Sequence, residues 1–240
     1  MNSSARARRF YILTLLLRTV VFLLLAAYAI CLPDRFAADL AGIPFRITPL
    51  TIFWLWLIVA MLLRFFPSPM ESLGCQKVFA KRFRPSGQAP SCQEQQTARR
   101  GALWVLLSWV ALNALFFLGY WKGVLGAGFM FCLSAFYSVC DIICILFFCP
   151  FQSWMMHNRC CTTCRIYNWD FFMISTPLLC LPNILAVCAY IIAIALLLRW
   201  EITYFRHRER FFESSNEALR CSQCRDQLCR YKRRLSRKGK

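Results

Sequence analysis

FFMISTPLLCLPNILAVCAYIIAIALLLRW, residues 171–200, is the stretch whose path decides the fold. It is apolar almost throughout but is interrupted by Pro177 and by Pro182-Asn183. Its 30 residues exceed the roughly 20 that one helical membrane crossing needs, yet they fall short of two full helical crossings. Either the run enters, turns back near Pro182-Asn183 and leaves on the side it came from, or it bends and crosses once. Charge separates the two readings, because Lys and Arg collect on the cytoplasmic side of membrane proteins. With a turn, 25 of the 29 basic residues fall on one side and three on the other. A single crossing gives 12 against 16, which specifies almost nothing. The turned-back reading is therefore favoured, with the irregular backbone at the turn covered by protein or close to an interface. A plain fifth span is its rival.

Outward from this run, the chain is 59% hydrophobic and 17% charged, too apolar for a soluble domain despite a net charge of +18. Four further apolar runs read as spans, at about 10–31, 49–66, 101–121 and 123–148. The expected fold is an all-α, polytopic membrane bundle of four spans plus a re-entrant or Pro-bent fifth segment. It is placed in the cell membrane with a cytoplasmic amino terminus and a carboxyl terminus on the same side. A cleavable leader ending near Ala27-Tyr28-Ala29 is the competing reading of the first run, and Arg18 inside the run argues against it. Prolines 67, 69, 85 and 90 lead us to expect no regular structure in residues 67–100. Arg64 is expected to snorkel to an interface. Gly123, Gly126 and Gly128 lack the lysine of a phosphate loop and read as close helix packing.

Between the fourth and fifth runs lies CPFQSWMMHNRCCTTCRIYNWD, residues 149–170, a polar loop dense in cysteine. Cys161 and Cys164 form one C-x2-C pair there, and Cys221 and Cys224 form another in the basic tail, residues 201–240. Two such pairs complete a tetrahedral zinc site, because two intervening residues let both sulfurs face one ion. Cys149, His157, Cys160 and Cys229 are further candidate ligands, and an iron-sulfur cluster is the alternative. The site requires loop and tail on one side, which is what the charge distribution favours. Eight other cysteines, Cys140 and Cys144 among them, are scattered in apolar runs or loops and read mostly as small packing residues.

A small helical bundle with Cys161 and Cys164 just before an apolar segment resembles the quinone-linked disulfide oxidoreductases of the vitamin K epoxide reductase type. The resemblance implies redox roles for those two cysteines alone; this chain departs from those enzymes in placing the pair inside rather than outside. Cys144 and Cys149-Pro150 resemble the C-x3-C-P motif of membrane ferredoxin-type quinol dehydrogenases, with four intervening residues in place of three. That likeness implies electron transfer.

Arg18 and Asp141 lie at similar depth within the first and fourth runs, and an isolated charge there is costly, so the two are expected to pair. Ser134, Tyr137, Ser138 and Cys144 share the helical face of Asp141, and Asn113 is a possible partner for that stripe. In the tail, Glu209, Glu213 and Glu217 are spaced four apart and suggest an exposed helix. Its terminal cluster, Arg230 to Lys240, suits anionic lipids; few aromatic residues accompany it, so sequence-specific nucleic acid is not expected. Three functions follow: a zinc-bound scaffold or adaptor for a membrane or cytoplasmic protein partner, a quinone-linked thiol or iron-sulfur oxidoreductase, and a small transporter using Arg18 and Asp141.

Overall fold

The computed structural model describes residues 3–41, 47–66, 73–79, 82–158, 160–224 and 228. They are helical, with no strand among the described residues beyond an isolated bridge from Pro85 to Asn216. Eight α-helices follow in order: α1 (Ser3–Cys31), α2 (Pro33–Ala41), α3 (Pro49–Phe65), α4 (Leu73–Phe79), α5 (Cys92–Trp121), α6 (Ala127–Leu146), α7 (Asp170–Ser175) and α8 (Ile184–Arg206). Among the described residues, α1 from Ala5, α5, α6 and α8 are long and apolar enough to cross a membrane. The 49–66 run yields only the 17 residues of α3, at the short limit for a span, while the bent 171–200 run supplies the long helix α8.

The path of residues 170–206 is decided at its two ends. At one end, Arg64 at the close of α3 binds Asp170 at 2.8 Å, and Trp200 Nε1 donates to the Arg165 carbonyl at 2.6 Å. At the other end, Asn183 Nδ2 donates to the carbonyl of Leu40 in α2 at 2.6 Å. The segment therefore runs the length of the bundle and returns. Six residues of α7 are followed by a 3₁₀ stretch, Thr176–Cys180, and an extended turn at Leu181–Asn183. The rise per residue grows from 1.5 Å in the α-helix to 2.0 Å in the 3₁₀ stretch and about 3.3 Å in extended chain, so these residues reach up to about 29 Å. As expected, 30 residues do not make two full helical spans: the run supplies one helix of spanning length, and the outward leg is completed by the 3₁₀ stretch and the extended turn. Pro177 sits in the first turn of the 3₁₀ stretch, where a missing N–H costs nothing, and Asn183 caps α8 by accepting from Leu185 N at 2.7 Å.

We call the end holding the start of α1, residues 147–158 and 160–169, and residues 207–224 the near end. The far end holds α2 and the α5–α6 turn. Gly123 takes φ +72 in that turn, a conformation that favours glycine, whereas Gly126 has nothing near it. Gly123 thus serves the turn, whereas Gly128 does pack closely, its Cα facing the Phe36 ring and Ala29. Leu25, Phe53, Leu57, Phe131, Leu178 and Leu196 belong to one continuous core between the long helices.

The near end carries a second packed layer. Ser91 Oγ accepts from Glu94 N while the Glu94 carboxylate accepts from Ser91 N, so α5 begins nine residues before its apolar stretch. With α4, this makes the described part of the 67–100 segment more regular than expected; Pro67 and Pro69 lie outside the described residues. In the tail, Phe211 and Phe212 are buried against Tyr204, and Phe211 also stacks edge-on against Trp200 at 5.1 Å. Asn216, fully buried, accepts from Arg84 N and Ala218 N and donates to Lys77 O and Arg210 O. The expected helix through Glu209, Glu213 and Glu217 is absent: two consecutive buried phenylalanines and a side chain competing for backbone groups leave only short 3₁₀ turns.

Candidate functional site: a thiol-lined cavity at the near end

The last two turns of α6, the loop after it, Trp109 of α5 and the start of α7 line a partly open cavity of about 120 Å³. Cys140 and Cys144, four residues apart on α6, face it together with Cys149, Cys161 and Cys164. Trp109, Tyr137 and Phe151 supply aromatic walls, with the Trp109 and Tyr137 ring centroids 4.7 Å apart. Asp141 and Asp170 also line it. The volume approaches that of an engineered apolar cavity of ~150 Å³ that accepts benzene, so its scale is one six-membered ring.

Gln152 organises the loop side. It is buried in a π-turn, Phe151–Met155, where its backbone N–H donates to Cys149 Sγ at 3.4 Å and its Nε2 to Asn158 O at 2.7 Å. Its Oε1 accepts from the Cys161 thiol at 2.6 Å, and the same thiol reaches Cys144 O at 3.0 Å. Cys144 and Cys149 line the same cavity wall. The 161–164 pair forms the tight turn its spacing predicts, with Cys164 N donating to Cys161 O at 3.0 Å. Burial pushes the Cys164 thiol up to about 12, so it is a protonated donor at neutral pH. Burial likewise holds Tyr167 well above the ordinary phenol value.

The four sulfurs of the expected zinc site are not brought together. Cys161 and Cys164 turn toward the cavity, Cys221 is exposed, and Cys224 Sγ accepts from Lys77 Nζ at 3.8 Å. Among the described residues, no three His, Cys, Asp or Glu side chains converge as a metal ion requires, whether zinc or an iron-sulfur cluster is considered. His157 is exposed at φ +48, and Cys160 Sγ lies 3.2 Å from Thr162 Oγ1. Cys229 and the Arg230–Lys240 cluster lie outside the described residues.

Beside the cavity sits a set of paired charges. Arg18 Nη1 donates to Asp141 Oδ2 at 2.9 Å and to Ser138 O at 2.7 Å, with its guanidinium 4.7 Å from the Trp56 ring. Asn113 Nδ2 donates to the carbonyl of Trp109, whose ring packs on Tyr137 of the stripe. Arg64 does not snorkel: it binds both oxygens of Asp170 at 2.8 Å and lies 4.4 Å from the Phe171 ring. Arg199 donates to Arg64 O and Phe65 O, satisfying the final carbonyls of α3.

Sequence reasoning overlooked Gln152, Tyr167 and Asp170, and it read Cys140 and Cys144 chiefly as packing. A signal existed in the shared face of Asp141 and Cys144, three apart on α6. Nothing local in the sequence pointed to the loop folding back against that face. Comparison with known proteins returned no matching family model, no matching curated protein and no matching solved structure.

Proposed function

We propose that this is a multi-pass membrane thiol oxidoreductase that exchanges electrons between a cysteine pair and a membrane quinone. The observation that carries the reading is the convergence of Cys144, Cys149, Cys161 and Cys164 on one cavity scaled to one ring and walled by Trp109, Tyr137 and Phe151. Two thiols lose two protons and two electrons and form one S–S bond; the quinone takes up both electrons and both protons and becomes the quinol. Asp141 and Asp170 line the same cavity and are the nearest carboxylates to receive protons in transit. Cys161 and Cys164 form the second pair, with which the first exchanges by thiol–disulfide exchange. The near end faces the cytoplasm in this reading, because the amino terminus, the 73–100 region and the tail carry most of the basic residues. The zinc-bound scaffold receives no comparable support, since its four sulfurs do not meet.

The test uses the full chain in nanodiscs, reduced and freed of excess reductant, mixed anaerobically with a short-chain quinone. Quinol is followed by absorbance, and disulfides are mapped by differential alkylation and peptide mass spectrometry. The expected result is one quinol per Cys144–Cys149 disulfide, lost in Cys144→Ser and in Cys149→Ser and kept in Cys188→Ser, a substitution at an exposed thiol of α8. Thiols that stay fully alkylatable while no quinol forms would overturn the proposal. About one zinc per chain, protecting Cys161, Cys164, Cys221 and Cys224, would instead restore the scaffold reading.

A further inference from the structure

A second and larger hollow, about 630 Å³, lies at the near end between α5 and the α7–α8 hairpin. One face of α5 lines it with Gln96, Arg99, Arg100, Leu103 and Leu106, residues that recur every three or four positions. Opposite stand Arg165, Trp169 and Glu201, then Phe172 and Leu197 toward the middle of the bundle. The groove therefore passes from cationic to apolar along the axis, between two helices each long and apolar enough to cross a membrane.

The charges leave a defined surplus. Arg165 and Glu201 form an ion pair, and Trp169 Nε1 also donates to Glu201 at 2.9 Å, so the carboxylate is satisfied within the wall. Arg99 and Arg100 are exposed and make no ion pair among the described residues. Arg165 is only 8% exposed, is stacked 4.0 Å from the Tyr204 ring, and has a buried Nε without a hydrogen-bond partner. A buried donor in that state is costly until an acceptor reaches it.

We infer that this groove binds one anionic phospholipid, with its phosphodiester between Arg99, Arg100 and Arg165 and an acyl chain along Leu103, Leu106, Phe172 and Leu197. Charge complementarity selects the headgroup: two uncompensated cations favour a lipid with net negative charge over a zwitterionic one. The apolar lower wall selects a lipid over a free phosphate, because a soluble anion would leave that wall uncovered. The site uses none of the terminal basic residues and does not depend on the redox reading of the thiol cavity.

The full chain, delipidated in detergent, is titrated with phosphatidylglycerol and with phosphatidylcholine, and bound lipids are counted by native mass spectrometry. One phosphatidylglycerol is expected to bind in preference to phosphatidylcholine. The Arg99→Gln, Arg100→Gln double variant should weaken phosphatidylglycerol roughly ten- to thirtyfold, each basic residue near a membrane surface being worth on the order of one kcal/mol. Phosphatidylcholine binding should hardly change. The Arg99→Lys, Arg100→Lys variant keeps the charge and should retain most of the preference, and Leu106→Trp should obstruct both lipids; circular dichroism checks that each variant is folded. Equal binding of the two lipids by the unmodified protein, or unchanged phosphatidylglycerol binding in the glutamine variant, would overturn the assignment. So would displacement of the lipid by millimolar inorganic phosphate, which would mark a simple anion site.

Discussion

The side-chain amide of Asn183 donates to the main-chain carbonyl of Leu40 at 2.6 Å, joining the turn of the last hairpin to the helix that follows the first long one. That bond is buried, and its partners are 143 residues apart in sequence. The same side chain caps α8, so one residue both starts the helix and fixes where the hairpin reverses. Asn183→Ala should destabilise the protein by about 2 to 4 kcal/mol, combining a lost cap with an unpaired buried carbonyl. Denaturant unfolding in detergent measures this. A change below 1 kcal/mol would mean that the turn is held elsewhere.

Arg18 and Asp141 make the second test. Removing only the cation, as in Arg18→Ala, leaves a buried carboxylate without its partner and should cost about 3 to 5 kcal/mol. Replacing both, Arg18→Met with Asp141→Leu, should recover most of that loss, because neither charge then needs solvation. A transporter built on these groups would instead lose substrate flux in the double variant while keeping its stability.

Asn216 joins the tail to the segment before α5 through two hydrogen bonds, with Arg84 N and Lys77 O, and braces the tail itself through two more, with Arg210 O and Ala218 N. Asn216→Ala strands several buried backbone groups at once and is expected to release the tail by local unfolding. Hydrogen exchange at residues 208–220 should accelerate by at least tenfold while the amides of α6 stay protected. Uniform acceleration in both regions would show that tail and bundle unfold as one unit.

Thiol labelling follows burial. With its thiol pushed up to about 12, Cys164 carries on the order of one thiolate in ten thousand at pH 8, whereas Cys221 is exposed. Brief iodoacetamide treatment should label Cys221 at least ten times faster than Cys164. Unfolding the chain should remove the difference.

The start of α5 should respond to acid. Hydrogen bonds from the Ser91 backbone and side chain, with one from Ser214, hold Glu94 below the ordinary carboxylate value of 4.5. A carboxyl depressed by folding contributes stability that is fully present above its unfolded value and fades as the pH falls through the folded one. Fraying at Cys92–Gln96 should therefore increase below about pH 4.5 and not between pH 6 and 8. Ser91→Ala should weaken this acid response, and hydrogen exchange across that range reads it.

Length and apolarity of the runs dictated a helical bundle with spanning helices, because helical rise and hydropathy are local properties. Charge distribution favoured a tail on the side of the 149–170 loop, and in the fold Phe211 packs on Trp200, which bonds to Arg165 at that end. The burial cost of a lone charge pointed to Arg18 and Asp141 as partners before any contact was known. What the chain order did not disclose was the route through residues 170–183, since a 3₁₀ stretch and an extended turn lengthen a segment in a way that composition cannot signal. Nor did it disclose which cysteines meet. Spacing paired Cys161 and Cys164 with Cys221 and Cys224, whereas the folded loop turns the first pair toward Cys144 and Cys149. A thiol's neighbours are set by how helix ends and loops pack, and Gln152, held in a π-turn, directs the Cys161 thiol inward. Motif spacing describes the local turn; only tertiary packing decides what that turn faces.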